Sequence, residues 1–166
     1  MKPINLPIFP LKLVVLPGTI QGLQIFEPRY LNMVKQCMSN ASNFVISYKS
    51  DRFDDFDFGI EKVGTSVQIV DFNNLPNGLL GITVKAESKV SLNNIIQLED
   101  KSYLGEVLPL TEPEVDDQSL LAKYPDLIEV LVKLKEHPEI KTLQLDIDLD
   151  SADSVSYHLG NLIPLT

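Results

Sequence analysis

Apolar and polar positions follow two different periods along this chain. From Leu6 to Leu108, apolar residues alternate with polar ones in short runs broken by proline, glycine and asparagine. From Asp117 onward they mostly recur at helical spacing. A period of two buries one face of a strand, and a period of 3.6 buries one stripe of a helix. The pattern thus predicts a β-rich first part and a helical second part.

The stretch Leu6–Met38, LPIFPLKLVVLPGTIQGLQIFEPRYLNMVKQCM, packs several such signals together. Leu6 and Ile8 share a face, with Pro7 and Pro10 interrupting. Proline has no N–H to give a ladder, so this segment reads as an edge strand or an extended lead-in. Leu13–Leu16 is an apolar run of the length of a buried strand. Leu16-Pro17-Gly18-Thr19 has the proline and glycine of a type II turn. Leu23 and Ile25 alternate with Gln24, as in a strand with one buried face. At Glu27-Pro28-Arg29 the period switches. Pro28 suits the first position of a helix, where a missing N–H costs nothing. Leu31, Val34 and Met38 follow at helical spacing, flanked by Tyr30 and Cys37. Ile25, Phe26 and Tyr30 are expected in the core. Glu27 and Arg29 read either as an ion pair fixing the strand-to-helix corner or as an exposed recognition pair.

Farther on, Phe44, Ile46 and Tyr48 mark a strand, and Gly59–Phe72 holds two short strand signals around Gly64. Leu75-Pro76-Asn77-Gly78 is a turn, followed by strands at Leu80–Ala86, from Val90, and at Tyr103–Leu108. Asp51–Asp57, with four aspartates and two phenylalanines, reads as an acidic surface loop. Many short strands between turns suggest a barrel or a sandwich. Residues 111–116 fit neither period and read as a linker. Asp117 is placed as the cap of a short helix containing Leu120, Leu121 and Tyr124. Pro125 restarts a helix whose apolar face is Leu127, Val130, Leu131 and Leu134, and His137-Pro138 ends it. Leu143, Leu145, Ile147 and Leu149 alternate strictly and predict a strand. Asp153 is placed as the cap of a last helix running through Leu162.

LPIFPL, VVLPG and IFEPRYLNMV together resemble the start of the Lon protease N-terminal (substrate-binding) domain family, especially its stand-alone bacterial members. Gly64-Thr65 and Leu75-Pro76-Asn77-Gly78 resemble that family's hairpin. The tail Val155–Leu165, ending in LGNLIPL, resembles its last helix and ending. Where many relatives carry a Gly…Arg-Phe element, this chain has Lys85-Ala86-Glu87-Ser88-Lys89-Val90. The resemblance implies an α+β fold: a PUA-like β barrel or pseudo-barrel with one inserted helix over residues 1–110. After the linker comes a small C-terminal helical portion over 117–166, with truncation at its C-terminal end left open.

Composition narrows the function. The chain has 166 residues, 44% of them hydrophobic, enough for a sizeable core. No apolar run is long enough to cross a bilayer as a helix, and no signal peptide is evident at the N-terminus. One cysteine excludes an internal disulfide and fits the cytoplasm. The net charge of −9 is unevenly placed: +4 over residues 1–49, −3 over 50–98 and −10 over 99–166. Phosphate backbones are repelled by most of such a surface, so DNA is not expected as a partner and RNA is disfavoured.

Sequence signals for catalysis are absent. There is no P-loop, no Gly-x-Ser-x-Gly and no zinc-ligand spacing. Asp146, Asp148 and Asp150 imitate an EF-hand opening, but Ser151 and Tyr157 stand where glycine and glutamate are needed. Cys37 reads as a small buried hydrophobe. No cofactor, metal or catalytic residue is expected. What the resemblance implies is recognition without catalysis: binding of unfolded or apolar polypeptide segments, or of a protein partner, with weak self-association. An RNA-binding PUA-like module is the alternative. The candidate binding residues are Glu27, Arg29, Tyr30, Leu131 and Leu162, about a cleft between the β part and the helices.

Overall fold

The structure is a computed structural model, and it describes residues 2–51 and 57–163. The elements in order are β1 (Ile4–Leu11), β2 (Ile20–Ile25), α1 (Pro28–Asn40), β3 (Phe44–Lys49), β4 (Ile60–Asn74), β5 (Leu80–Gln97), β6 (Tyr103–Pro109), α2 (Asp117–Lys123), α3 (Pro125–Glu136), α4 (Pro138–Lys141) and α5 (Ala152–Leu162). The strands run β2-β5-β4-β3-β1-β6, and β5 also pairs with β6. Five strands thereby close into a barrel-like ring, and β2 adds to the first half of β5. Helix α1 is inserted between β2 and β3. The fold is α+β, with a ring of strands followed by helices, as expected.

Two long strands make the closure possible. The segment 60–74, expected as two short strands, is the single strand β4; the strands expected at 80–86 and from Val90 are the single strand β5. Their pairing slips at two places: Ser66 faces Ser88 while Val67 faces Ala86, and Ile69 faces Val84 while Asp71 faces Thr83. Glu87 and Val70 are thus the extra residues of two bulges. A bulge bends a strand and adds twist, so one strand can turn a barrel corner where two short ones were expected.

Strand β1 is not an edge. Ile4–Ile8 pairs with β6, and Ile8–Leu11 pairs parallel to β3. Each half has one flank without a ladder, which is where a proline nitrogen is tolerated. The run Leu13–Leu16 forms no strand but an extended loop. It ends in the expected turn: the Thr19 N–H donates to the Leu16 carbonyl at 3.3 Å, and Gly18 sits at φ 80°, open to glycine without strain.

Apolar clusters lie on both faces of the sheet, since the adjacent residues Ile8 and Phe9, and Val45 and Ile46, fall in different ones. Phe9, Ile25, Tyr30, Met33, Val34, Cys37, Phe44 and Val84 are in the first, between α1 and the sheet. Ile8, Val45, Leu92, Tyr103 and Val107 are in the second. The buried stripe of α1 is Tyr30, Met33, Val34 and Cys37, rotated from the expected one; Leu31 is half-buried and Met38 exposed. Phe26, expected in the core, is 65% exposed. Ile25 turns inward at the end of β2, so its neighbour points outward as the pleat requires.

The helical part has its own core of Leu131, Ile147, Val155 and Leu159. Leu127 and Val130, expected on the buried face of α3, are exposed; half-buried Ile128 joins Leu131 instead. Neighbours pack on only one flank of α3, which narrows its buried stripe. Leu143–Leu149 forms no strand. Buried Ile147 and half-buried Leu145 and Leu149 pack on this core from a loop, with no strand beside them to complete a ladder. The caps also differ. Asp116, not Asp117, caps α2 by accepting from the Ser119 N–H, and Ser151, not Asp153, caps α5 by accepting from the Ser154 N–H. Asp117 instead accepts from the Ala152 N–H at 2.8 Å, tying α2 to the start of α5.

Candidate functional site

The corner at Glu27–Tyr30 holds three of the residues that the sequence singles out. Pro28 opens α1 directly after β2, and this brings Glu27 and Arg29 onto one side. Arg29 Nη2 donates to Glu27 Oε1 at 3.0 Å, and Nη1 donates to the Lys101 carbonyl at 2.8 Å. The guanidinium lies 4.7 Å from the Tyr30 ring centre and 5.8 Å from that of Tyr103. Tyr30 stacks on Phe9 at 4.3 Å, nearly parallel. Burial pushes the Tyr30 hydroxyl up to about 12, against the opposing pull of Arg29. Two Arg29 donors are thus engaged within the chain, binding the corner to the turn before β6. This geometry has the form of the ion-pair corner.

The other two candidates lie elsewhere. Leu131 is 0% exposed, at the centre of the helical core, and half-buried Leu162 packs against the same cluster. Leu131 has no surface to offer a ligand. Glu27, Arg29 and Tyr30 belong to the barrel, so the five residues do not assemble into one surface.

The barrel and the helices meet along the loop Leu13–Gly18. His158, fully buried on α5, places Nε2 3.2 Å from the Gly18 carbonyl and Nδ1 2.8 Å from the Ser154 carbonyl. From the other side, Thr65 Oγ1 donates to the Val15 carbonyl at 2.7 Å. Lys89 ion-pairs with Glu112 and lies 5.0 Å from the Tyr157 ring. Its hydrogen bond to Glu112, and then the Tyr157 hydroxyl, raise the Lys89 ammonium above its ordinary value. Beside this junction runs an open groove of about 240 Å³, lined by Leu13–Pro17, Ile46, Tyr48, Val63–Thr65 and Lys89. Val14 is 66% exposed there, and Val63 and Tyr48 are also exposed. A second groove of about 220 Å³, almost wholly carbon-lined, lies among Leu120, Tyr124, Leu127 and Leu159.

Sequence reasoning missed the first groove because it read Leu13–Leu16 as a buried strand. The turn at Leu16–Thr19 is legible in the sequence, but a turn follows a strand and a loop alike, so nothing in the run itself separates the two. It also missed His158, a lone histidine on an otherwise apolar helix face. Among the described residues no group of three or more metal-ligating side chains comes together. The acidic loop expected at 51–57 lies mostly outside the described residues.

A closed β ring with one inserted helix, followed by a small set of helices docked on one loop, defines the class of protein. Comparisons with known proteins then place it. The chain belongs to the LON substrate-binding domain family: the model of the ATP-dependent protease La (LON) substrate-binding domain matches residues 5–166. It is 29% identical to Lon protease 1 of Thermus thermophilus over 155 residues, covering 86% of this chain and 18% of that protein. It is 24% identical to Lon protease of Fusobacterium nucleatum over 122 residues, covering 71% of this chain and 16% of that protein. The chain therefore spans less than a fifth of the length of these curated relatives. Among solved structures, it is similar to a Lon N-terminal domain protein from Xanthomonas campestris, with 27% identity and a TM-score of 0.72, covering 98% of this chain and 85% of that one. It has the same fold as the N-terminal domain of Mycobacterium avium complex Lon protease, with 16% identity, a TM-score of 0.72 and the same coverage.

Proposed function

We propose that this chain is a non-catalytic polypeptide-binding module that takes exposed apolar segments of unfolded chains or of a protein partner. The observation that carries this reading is the match of residues 5–166 to a substrate-binding domain. The exposed apolar residues Val14, Tyr48, Val63, Tyr124 and Leu127, lining two open grooves, support it physically. Apolar surface grouped in a groove and rimmed by polar residues typically marks an interaction site.

Two cations of the basic N-terminal third, Lys12 and Arg29, are paired within the chain, with Asp51 and Glu27. The net charge of −9 adds a general repulsion. No helix of the described residues is long and apolar enough to cross a membrane. The proposed setting is the cytoplasm.

Fluorescence anisotropy tests the reading with two labelled probes, a reduced and carboxymethylated protein that stays unfolded and a mixed-sequence RNA hairpin. The expected result is saturable binding of the unfolded protein and none of the RNA at physiological salt. Tight RNA binding that weakens steeply with salt, without binding of the unfolded protein, overturns it.

A further inference from the structure

We infer that the outer half of β4, Gln68–Asn74, is a strand-addition site that takes an extended segment of unfolded polypeptide. The inference rests on the polypeptide-binding reading above and assigns it a place and a mode.

The ladder supplies the first observation. β3 pairs with β4 only as far as Val67, whereas β5 pairs with β4 out to Asn74. Among the described residues, β4 over Gln68–Asn74 thus has β5 on one flank and no strand on the other. The Phe72 N–H donates to the side chain of its own neighbour Asp71 at 2.8 Å, the way an edge donor without a ladder partner is satisfied. Edges like this are ordinarily blunted by lysine, proline, a covering element or a bulge, and the bulge at Val70 is the device of this kind within the segment. The segment QIVDFNN has neither lysine nor proline, and its single charge is Asp71.

Side chains supply the second. Val70 is 50% exposed and Phe72 58%. A groove of about 300 Å³ runs between this segment and the end of α1, lined by Cys37, Met38, Ala41 and Ser42 on one side and Gln68–Phe72 on the other. Exposed Met38 lines it, and methionine adapts to varied apolar side chains. A strand laid on the edge would satisfy backbone groups through the ladder and drop alternate side chains toward this groove, the usual division of labour in strand addition.

The occupant follows from the site's chemistry. Seven edge residues accept roughly five to seven residues of extended chain at ~3.3 Å each. Alternate apolar side chains suit the groove, and neutral or basic flanks suit Asp71 and the overall charge of −9. Folded proteins rarely present such a segment unpaired; unfolded ones do.

The test uses the full chain and a labelled decapeptide of alternating valine and threonine with a lysine at each end. A second peptide of the same sequence carries N-methyl groups on every central backbone nitrogen, removing the ladder donors of both its edges while keeping the side chains. The decapeptide should bind saturably and slow hydrogen exchange at the amides of Gln68–Asn74. The N-methylated peptide should bind at least tenfold more weakly. The double variant Val70→Ser, Phe72→Ser changes exposed positions, should keep the parent's unfolding midpoint, and should also lose at least tenfold. Equal binding of the two peptides, or protection appearing only at Leu13–Pro17, overturns this site while leaving polypeptide binding standing. A concentration-dependent dimer abolished by the same double variant makes a second copy the occupant and also overturns it. No binding of the decapeptide or of an unfolded protein overturns both readings.

Discussion

Phe26 and Ile25 are adjacent in sequence, yet opposite in environment. Ile25 is almost fully buried in the cluster between α1 and the sheet, and Phe26 is exposed. Truncating Ile25 to alanine should therefore cost about 2–5 kcal/mol, while Phe26→Ala should cost less than about 1 kcal/mol. Urea denaturation of the two variants checks this directly; similar losses for both would contradict the placement of the corner. Tyr30 carries a second expectation. Its hydroxyl is raised from an ordinary 10.0 to about 12 by burial, so the folded state favours the neutral phenol. That stabilisation is fully present below about pH 10 and is lost as pH rises through about 12. The parent should lose about 2–3 kcal/mol over that window relative to Tyr30→Phe, measured by denaturation at each pH. At this scale the sequence was legible where one residue type has one use. Pro28 at the start of α1 and Gly18 in its turn follow from backbone chemistry alone. Phe26 was not, because a strand's pleat and a helix's first turn overlap there, and either face was open to an aromatic ring.

Elements were legible by type and less so by extent. Alternation marked the strands of the barrel, with β1 read as an edge strand or an extended lead-in, but split β5 at its bulge and β4 at Gly64, through which the strand continues. Bulges are set by the partner strand, which a local pattern does not contain. The reverse error occurred at Leu143–Leu149, where perfect alternation packs on helices from a loop. Alternation reports which side chains are buried, and a ladder also needs a neighbour. Gly64 tests the observed register of β3 on β4. A methyl group there would stand 2.6 Å from Val45 Cγ1 and 2.9 Å from the Ile46 carbonyl oxygen. Gly64→Ala should cost about 1–3 kcal/mol through overpacking. A thermal melt unchanged from the parent would mean that β3 and β4 do not approach this closely.

Taken whole, the molecule is a barrel and a helical core joined through a loop that the sequence pattern misassigned. His158 and Lys89 bind α5 to that loop and to β5, and the long-range partners of both are far away in sequence. This is why the joint, and the groove beside it, were not legible beforehand. Leu131 illustrates the consequence. Its place at the centre of the helical core means that a charged substitution should unfold the helices rather than report on binding. The surface positions Val14, Val70 and Phe72 are the ones that test recognition without that confusion. The central claim, that this chain recognises unfolded polypeptide, is tested most directly with one polypeptide in two states. A disulfide-bonded protein is labelled and titrated by anisotropy, first oxidised and folded, then reduced, alkylated and unfolded, at the same salt and temperature. The unfolded form should bind at least tenfold more tightly than the folded one. Equal affinity for both forms, or binding of neither, would contradict the account.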